Sequence, residues 1–211
     1  MAKRHSVAVI GAGDMGGCHV EGWQLAGHDV VSVCDIDTVR ATQLADKFGI
    51  ARTVQNYEEA VSDTRVDIVS VCVPLDLHER VTIAAASHGK HVFCEKPIAR
   101  SLAEIDRMEA AVAKAGVEFG IGFQRNLANG IRQLRQWVQD DVFGKPLLFN
   151  SELLQEVRPK RFMHDAQGNM GPIVDACCHD FLVQSAMISP VLMDSRTAKL
   201  KDKESLASAK P

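Results

Sequence analysis

Ser6-Val7-Ala8-Val9-Ile10-Gly11-Ala12-Gly13-Asp14-Met15-Gly16 opens the chain with an apolar run that breaks into three glycines spaced G-x-G-x-x-G. A second apolar run, Val30-Val31-Ser32-Val33-Cys34, closes on Asp35, 24 residues after Gly11. Together they read as strand, tight turn, helix, strand and acid, the context in which this glycine spacing carries meaning. Gly11 permits the sharp exit from the strand. Gly13 lets a pyrophosphate approach the backbone, with Asp14 and Met15 beside it, and Gly16 lets the helix lie close on the sheet. The N–H groups and positive end of that helix attract phosphates. Asp35 stands where a carboxylate reaches the ribose hydroxyls of an adenine dinucleotide. It would repel a 2′-phosphate, and Ile36 follows in place of an arginine, so NAD is favoured over NADP. Arg40 is the nearby cation that leaves NADP open.

At 211 residues the chain can hold one good core and part of a second. With 46% hydrophobic and 24% charged residues and a net charge of −3, it has the balance of a soluble globular protein. No block of lysine and arginine points to nucleic acid, no apolar run is long enough for a bilayer, and no signal-peptide core is present. The cytoplasm is therefore expected, with no membrane or nucleic-acid partner. Six cysteines without any C-x-x-C spacing argue against a disulfide framework or a structural zinc. Cys18, Cys34, Cys72 and Cys94 fall in or beside apolar interiors and read as small hydrophobes.

Outward from the glycine turn, strands and helices alternate, which predicts a parallel sheet covered on both faces. Strands are expected at 6–10, 30–34, 50–54, 66–73, 91–94 and 117–123. Helices are expected over 16–26, from the cap Asp37 to 48, over 57–62 with Asn56 as cap, over 78–88, and from Ser101 to about 115. Ser101-Leu102-Ala103-Glu104 reads as a capping box. This is an α/β, Rossmann-type doubly wound parallel sheet over residues 1–122. From 123 to 211 the pattern becomes that of an incomplete α+β domain. It holds an amphipathic helix at 127–140, an extended run at 147–157, a polar loop at 158–170 and a helix at 172–188. A strand beginning near 191 and a polar tail complete it.

Assembled, these residues resemble the glucose–fructose oxidoreductase/inositol dehydrogenase (Gfo/Idh/MocA) family. The resemblance rests on the glycine loop and Asp35, on Val73-Pro74 with His78 four residues on, and on Gly89-Lys90-His91-Val92-Phe93-Cys94-Glu95-Lys96-Pro97. It continues through Gly122-Phe123-Gln124-Arg125 and Gly144-Lys145-Pro146 to the helix holding Asp175 and His179. It implies an NAD-dependent dehydrogenase acting on a secondary alcohol of a sugar, inositol or related polyol. It also implies Val73, Pro74, His78, Glu95 and Lys96 beside the cofactor, and a cis Lys96–Pro97 bond. The chain departs from the family at Leu75, where a polar residue is usual, and at Cys177, which replaces a glycine. The second domain is also short, so a fragment or truncated product lacking much of its C-terminal domain is expected.

Removing hydride from an alcohol requires a base for the hydroxyl proton. Lys96, at the carboxyl end of a strand, is placed to hold and polarise the substrate oxygen. Glu95 is expected to orient the nicotinamide ribose or the lysine. Asp175 and His179, four apart, share a helix face, with His179 as general acid/base and Asp175 orienting it or binding a hydroxyl. The resemblance gives Lys96, Asp175 and His179 this catalytic role and places Arg125 near the substrate. Lys96 also fits an exposed strand end, Asp175 and His179 an ordinary surface pair, and His78 a packing residue. His5, His19, His28, His88 and His164 have no sequence partner that gives them a role. Asp175, Cys178 and His179 lack a further ligand at supporting spacing, so no metal is expected. The remaining alternative is a nucleotide-binding module without turnover. A homo-oligomer stays open.

Overall fold

The computed structural model describes residues 3–144, 146–148, 150–152 and 170–188. The chain divides into two units, Met1–Phe123 with Val157–Ala176, and Gln124–Glu156 with Cys177–Pro211.

The first unit carries β1 (Ser6–Ile10), α1 (Asp14–Leu25), β2 (Asp29–Cys34), α2 (Thr38–Phe48), β3 (Thr53–Val54), α3 (Tyr57–Ser62) and β4 (Ile68–Val71). After a short 3-10 turn at Leu75–Leu77 come α4 (His78–Ser87), β5 (His91–Cys94), α5 (Leu102–Ala115) and β6 (Phe119–Ile121). The six strands pair in parallel in the order β3-β2-β1-β4-β5-β6. The chain winds outward from β1 in both directions, so the sheet is doubly wound as expected, with a switch point between β1 and β4.

Alternation along β1 shows why the strand is apolar throughout. Val7 and Val9 pack with Val20, Val33, Ala41 and Leu44, on the side of α1 and α2. Ala8 and Ile10 pack with Val61, Val69, Val81, Ala85 and Val92, on the side of α3 and α4. A central strand buried on both faces has no solvated position to fill with a polar residue. Each of these fully buried valines stabilises the fold by about 1.5–3 kcal/mol.

The local signals mostly act as read. Asp37 caps α2 by accepting from Val39 and Arg40, Asn56 caps α3, and Gly49 and Gly116 end α2 and α5 in the left-handed conformation. The box at Ser101 is rearranged. Ser101 accepts from the Glu104 amide, but Glu104 turns to the Arg100 amide and guanidinium. An ion pair with an arginine one residue earlier outcompetes the reciprocal bond of the box. Several strands are shorter than their apolar runs: β3, β4 and β6 keep only the residues that find a ladder partner. Cys34 and Cys94 are buried, and burial pushes both thiols up to about 12. Cys18, read as an interior residue, is exposed because it lies on the outward side of α1.

In the second unit a 3-10 turn at Gln124–Leu127 leads into α6 (Asn129–Gln139), shorter than the expected 127–140. Leu127, Trp137, Val142, Phe143, Leu147 and Leu148 are exposed. Residues 146–148 and 150–152 form no strand; the rest of the extended run, the polar loop to 169, the strand near 191 and the tail lie outside the described residues. Helix α7 (Gly171–Ile188) spans the division between the units. No described helix is long and apolar enough to cross a membrane.

One buried side chain ties the switch-point region together. His78, 2% exposed, sets Nε2 at 3.0 Å from the Val73 carbonyl and Nδ1 at 2.9 Å from that of Pro97. Burial, the largest influence, pushes its pKa below the ordinary value, against the carbonyls of Val73, Pro97 and Ile98 and the Glu95 carboxylate, which favour the charged ring. The unfolded chain therefore binds a proton on this ring at higher pH than the folded one. The stabilisation is complete above about pH 6.5 and is lost as pH falls toward the folded pKa. Urea titrations at about pH 7.5 and about pH 5.5 should show a smaller acid-side loss of stability for His78→Gln than for the wild type. Equal losses would contradict this reading.

Candidate active site

The glycine loop leaves the sheet at the switch point. The Gly11 amide donates to the Cys34 carbonyl at 2.7 Å, and the Cys72 amide donates to the Ile10 carbonyl at 2.7 Å. Gly11 has φ +103°, and an added Cβ would lie 2.3 Å from the Cys72 oxygen. A Cβ on Gly16 would lie 1.9 Å from the Gly11 oxygen. Both glycines are demanded by the chain's own backbone.

Gly13 is different. Its φ of −79° suits any residue, and an added Cβ meets nothing within 4 Å. The fold itself does not need a glycine there, and the bare backbone is open to approach from outside. Helix α1 starts at this point with no side-chain cap, and a helix start leaves its first N–H groups without intrahelical acceptors. Gly13, Asp14 and Met15 are all exposed. The residues present therefore fit the pyrophosphate of a dinucleotide.

Asp35 is fixed from two sides. Its Oδ2 accepts from the Ala12 amide and its Oδ1 from the Asp37 amide, both at 2.8 Å. Each carboxylate oxygen keeps a second lone pair, enough for a vicinal pair of ribose hydroxyls. Arg40, the cation on which a 2′-phosphate would depend, donates through Nε to Asp37 Oδ2 at 2.9 Å. That contact holds the Asp37 carboxyl below the usual carboxylate range and engages the Nε–H of the guanidinium. Ile36 projects into solvent at 81% exposure.

At the end of β5 lie Glu95, buried, and Lys96, half-buried, and the Lys96–Pro97 bond is cis. Glu95 faces inward. Its Oε1 meets His19 Nε2 at 2.9 Å, and its Oε2 accepts from the Lys96 amide at 3.2 Å. Glu95 thus contacts the main chain at Lys96. His19, which had no partner in the sequence, was the residue missed. Gly16, His19, Val20 and Trp23 recur at helical spacing on the sheet-facing side of α1, and a histidine on such a stripe needs a buried partner. His78, expected beside the cofactor, has its ring nitrogens against the Val73 and Pro97 carbonyls, and the neutral ring donates to one of the two. Leu75, at the position where a polar residue was anticipated, is buried.

Arg125, His179 and Asp180 belong to the second unit. Arg125 Nη1 lies 3.5 Å from Asp180 Oδ1. His179 is 4% exposed and Val183, one turn on, is 5% exposed. That burial excludes an ordinary surface pair at His179. The side chain of Asp175 lies outside the described residues.

Comparison with known proteins agrees with this geometry. Residues 5–123 match the family described as oxidoreductase family, NAD-binding Rossmann fold (GFO_IDH_MocA). The chain is 30% identical over 176 residues to a myo-inositol 2-dehydrogenase of Thermotoga maritima, covering 83% of this chain and 52% of that one. It is 32% identical over 157 residues to a 1,5-anhydro-D-fructose reductase of Ensifer adhaerens, covering 73% and 47%. Among solved structures it superposes on GenD2 from gentamicin A biosynthesis, in complex with NAD, with TM-score 0.77 and 25% identity over 90% of this chain and 55% of that one. The chain thus spans about half the length of the curated relatives it matches. The open start of α1, the doubly anchored Asp35 and the match through residue 123 make this chain a member of the Gfo/Idh/MocA oxidoreductase family, built on its NAD-binding Rossmann fold.

Proposed function

We propose that this protein is an NAD-dependent oxidoreductase that moves hydride between the nicotinamide and a secondary alcohol of a sugar, inositol or related polyol, in the cytoplasm. The observation that carries this reading is the half-buried Lys96 just past the carboxyl end of the interior parallel strand β5, in the same sheet whose β1 ends in the exposed glycine loop. Substrates in such sheets lie at this end. The relatives named for inositol and anhydrofructose supply the substrate class.

When bound, NAD supplies the hydride acceptor. The chain's own residues would do the rest. The α1 N-terminus holds the phosphates, and Asp35 accepts the ribose hydroxyls and disfavours a 2′-phosphate. Lys96 holds the substrate oxygen as the alcohol proton leaves. In this reading His179, with Asp175, receives that proton as general base, and Arg125 lies near the substrate.

Incubation with NAD and a panel of polyols should raise NADH absorbance, and Lys96→Met should lower the rate by about a hundredfold or more while NADH binding persists. Wild-type turnover in that variant would remove Lys96 from the chemistry. NADH binding without turnover of any polyol would leave a nucleotide-binding module. The glycines give an independent test. Gly16→Ala should lower stability by about 1–3 kcal/mol or more through its clash with backbone. Gly13→Ala should leave the melting temperature nearly unchanged yet weaken NADH by about tenfold. Unaltered NADH affinity in Gly13→Ala would contradict the site.

A further inference from the structure

Four buried or half-buried side chains of the first unit, Trp23, Ser70, His19 and Glu95, form one connected chain that ends on the Lys96 amide. Ser70 sits in the centre of β4 and is fully buried, at a position where a sheet covered on both faces calls for an apolar residue. Its Oγ accepts from Trp23 Nε1 at 3.0 Å and lies 2.8 Å from His19 Nδ1. The other ring nitrogen of His19 meets Glu95 Oε1 at 2.9 Å. The ring is thus held from both sides, by the Glu95 carboxyl group at Nε2 and by the Ser70 hydroxyl at Nδ1. The Phe93 ring, 5.4 Å away and tilted, backs the imidazole. On the far side a Cβ added to Gly122 would lie 2.5 Å from Glu95 Oε1, so the carboxylate fills a slot that only a glycine leaves open. Its second oxygen then accepts from the Lys96 amide.

Stability does not call for such a network. Apolar side chains of similar volume often replace such buried networks without loss of stability, whereas a half-removed network is costly. What the network does set is direction: it fixes the peptide that enters Lys96, immediately before Pro97. We propose that His19 is a positioning residue of the active site, which with Ser70 and Trp23 behind it locks Glu95, and through Glu95 the main chain at Lys96, so that the lysine amine meets the substrate oxygen. This rests on the role given to Lys96 under the proposed function.

The test uses the full 211-residue chain and the variants His19→Leu, His19→Gln and Ser70→Ala. His19→Leu should lower kcat by about tenfold or more while the Kd for NADH stays within about threefold. His19→Gln keeps an N–H for Glu95 and should recover most of the loss. Ser70→Ala should give a smaller loss, because only the backing of the ring is removed. A readout independent of turnover is the resonance of Lys96 after reductive methylation with carbon-13. It should move in His19→Leu and return toward wild type in His19→Gln. If His19→Leu does not fold, the proposal stands or falls on whether Ser70→Ala moves that resonance and His19→Gln leaves it close to wild type. If the wild type turns over no polyol, the proposed function fails, and a shifted resonance would still support positioning. An unmoved Lys96 resonance overturns the proposal. So does a loss of kcat that tracks lost stability and is not rescued by glutamine.

Discussion

Helix α1 begins so close to the end of β1 that a Cβ on Gly16 would lie 1.9 Å from the Gly11 oxygen, and this approach governs the geometry of the whole nucleotide end. It sets the helix on the sheet with Val20 in the core, and it brings the uncapped first turn over the switch point. From the same seating, His19 reaches across to the end of β5. A wider turn would separate three things that the seating of α1 links: an electropositive helix start, the Asp35 carboxylate bound to the Ala12 amide, and the peptide before Lys96.

The division of labour around that turn is physical. Asp35 is held by two backbone amides, so its carboxylate is fixed in place before any ligand could meet its remaining lone pairs. Asp37 caps α2 and also accepts from Arg40 Nε, so one aspartate both starts a helix and pairs with the cation that follows Asp35. Elsewhere, His78 bridges the Val73 and Pro97 segments, the chain that follows the paired strands β4 and β5.

Much of this was legible in the sequence because the signals are local. Glycine spacing, the Asp37 and Asn56 caps, and apolar runs bounded by glycine or proline give strand and helix without reference to distant residues. What escaped reading depends on tertiary partners. Runs such as 66–73 are apolar over more residues than the ladder can pair, so β4 is shorter than its run. Glu104 left the Ser101 box for Arg100 because a charged partner happened to lie within reach. His19 has an ordinary neighbourhood in sequence, and its partner lies 76 residues away. Its helical stripe with Gly16 and Trp23 was the one available clue.

The central claim is that the open start of α1 and the fixed Asp35 hold an adenine dinucleotide without a 2′-phosphate. Calorimetric titration of the folded chain with NADH and with NADPH tests it most directly. The account predicts one-site binding of NADH and weaker binding of NADPH. No heat with either cofactor, or tighter binding of NADPH, would contradict it.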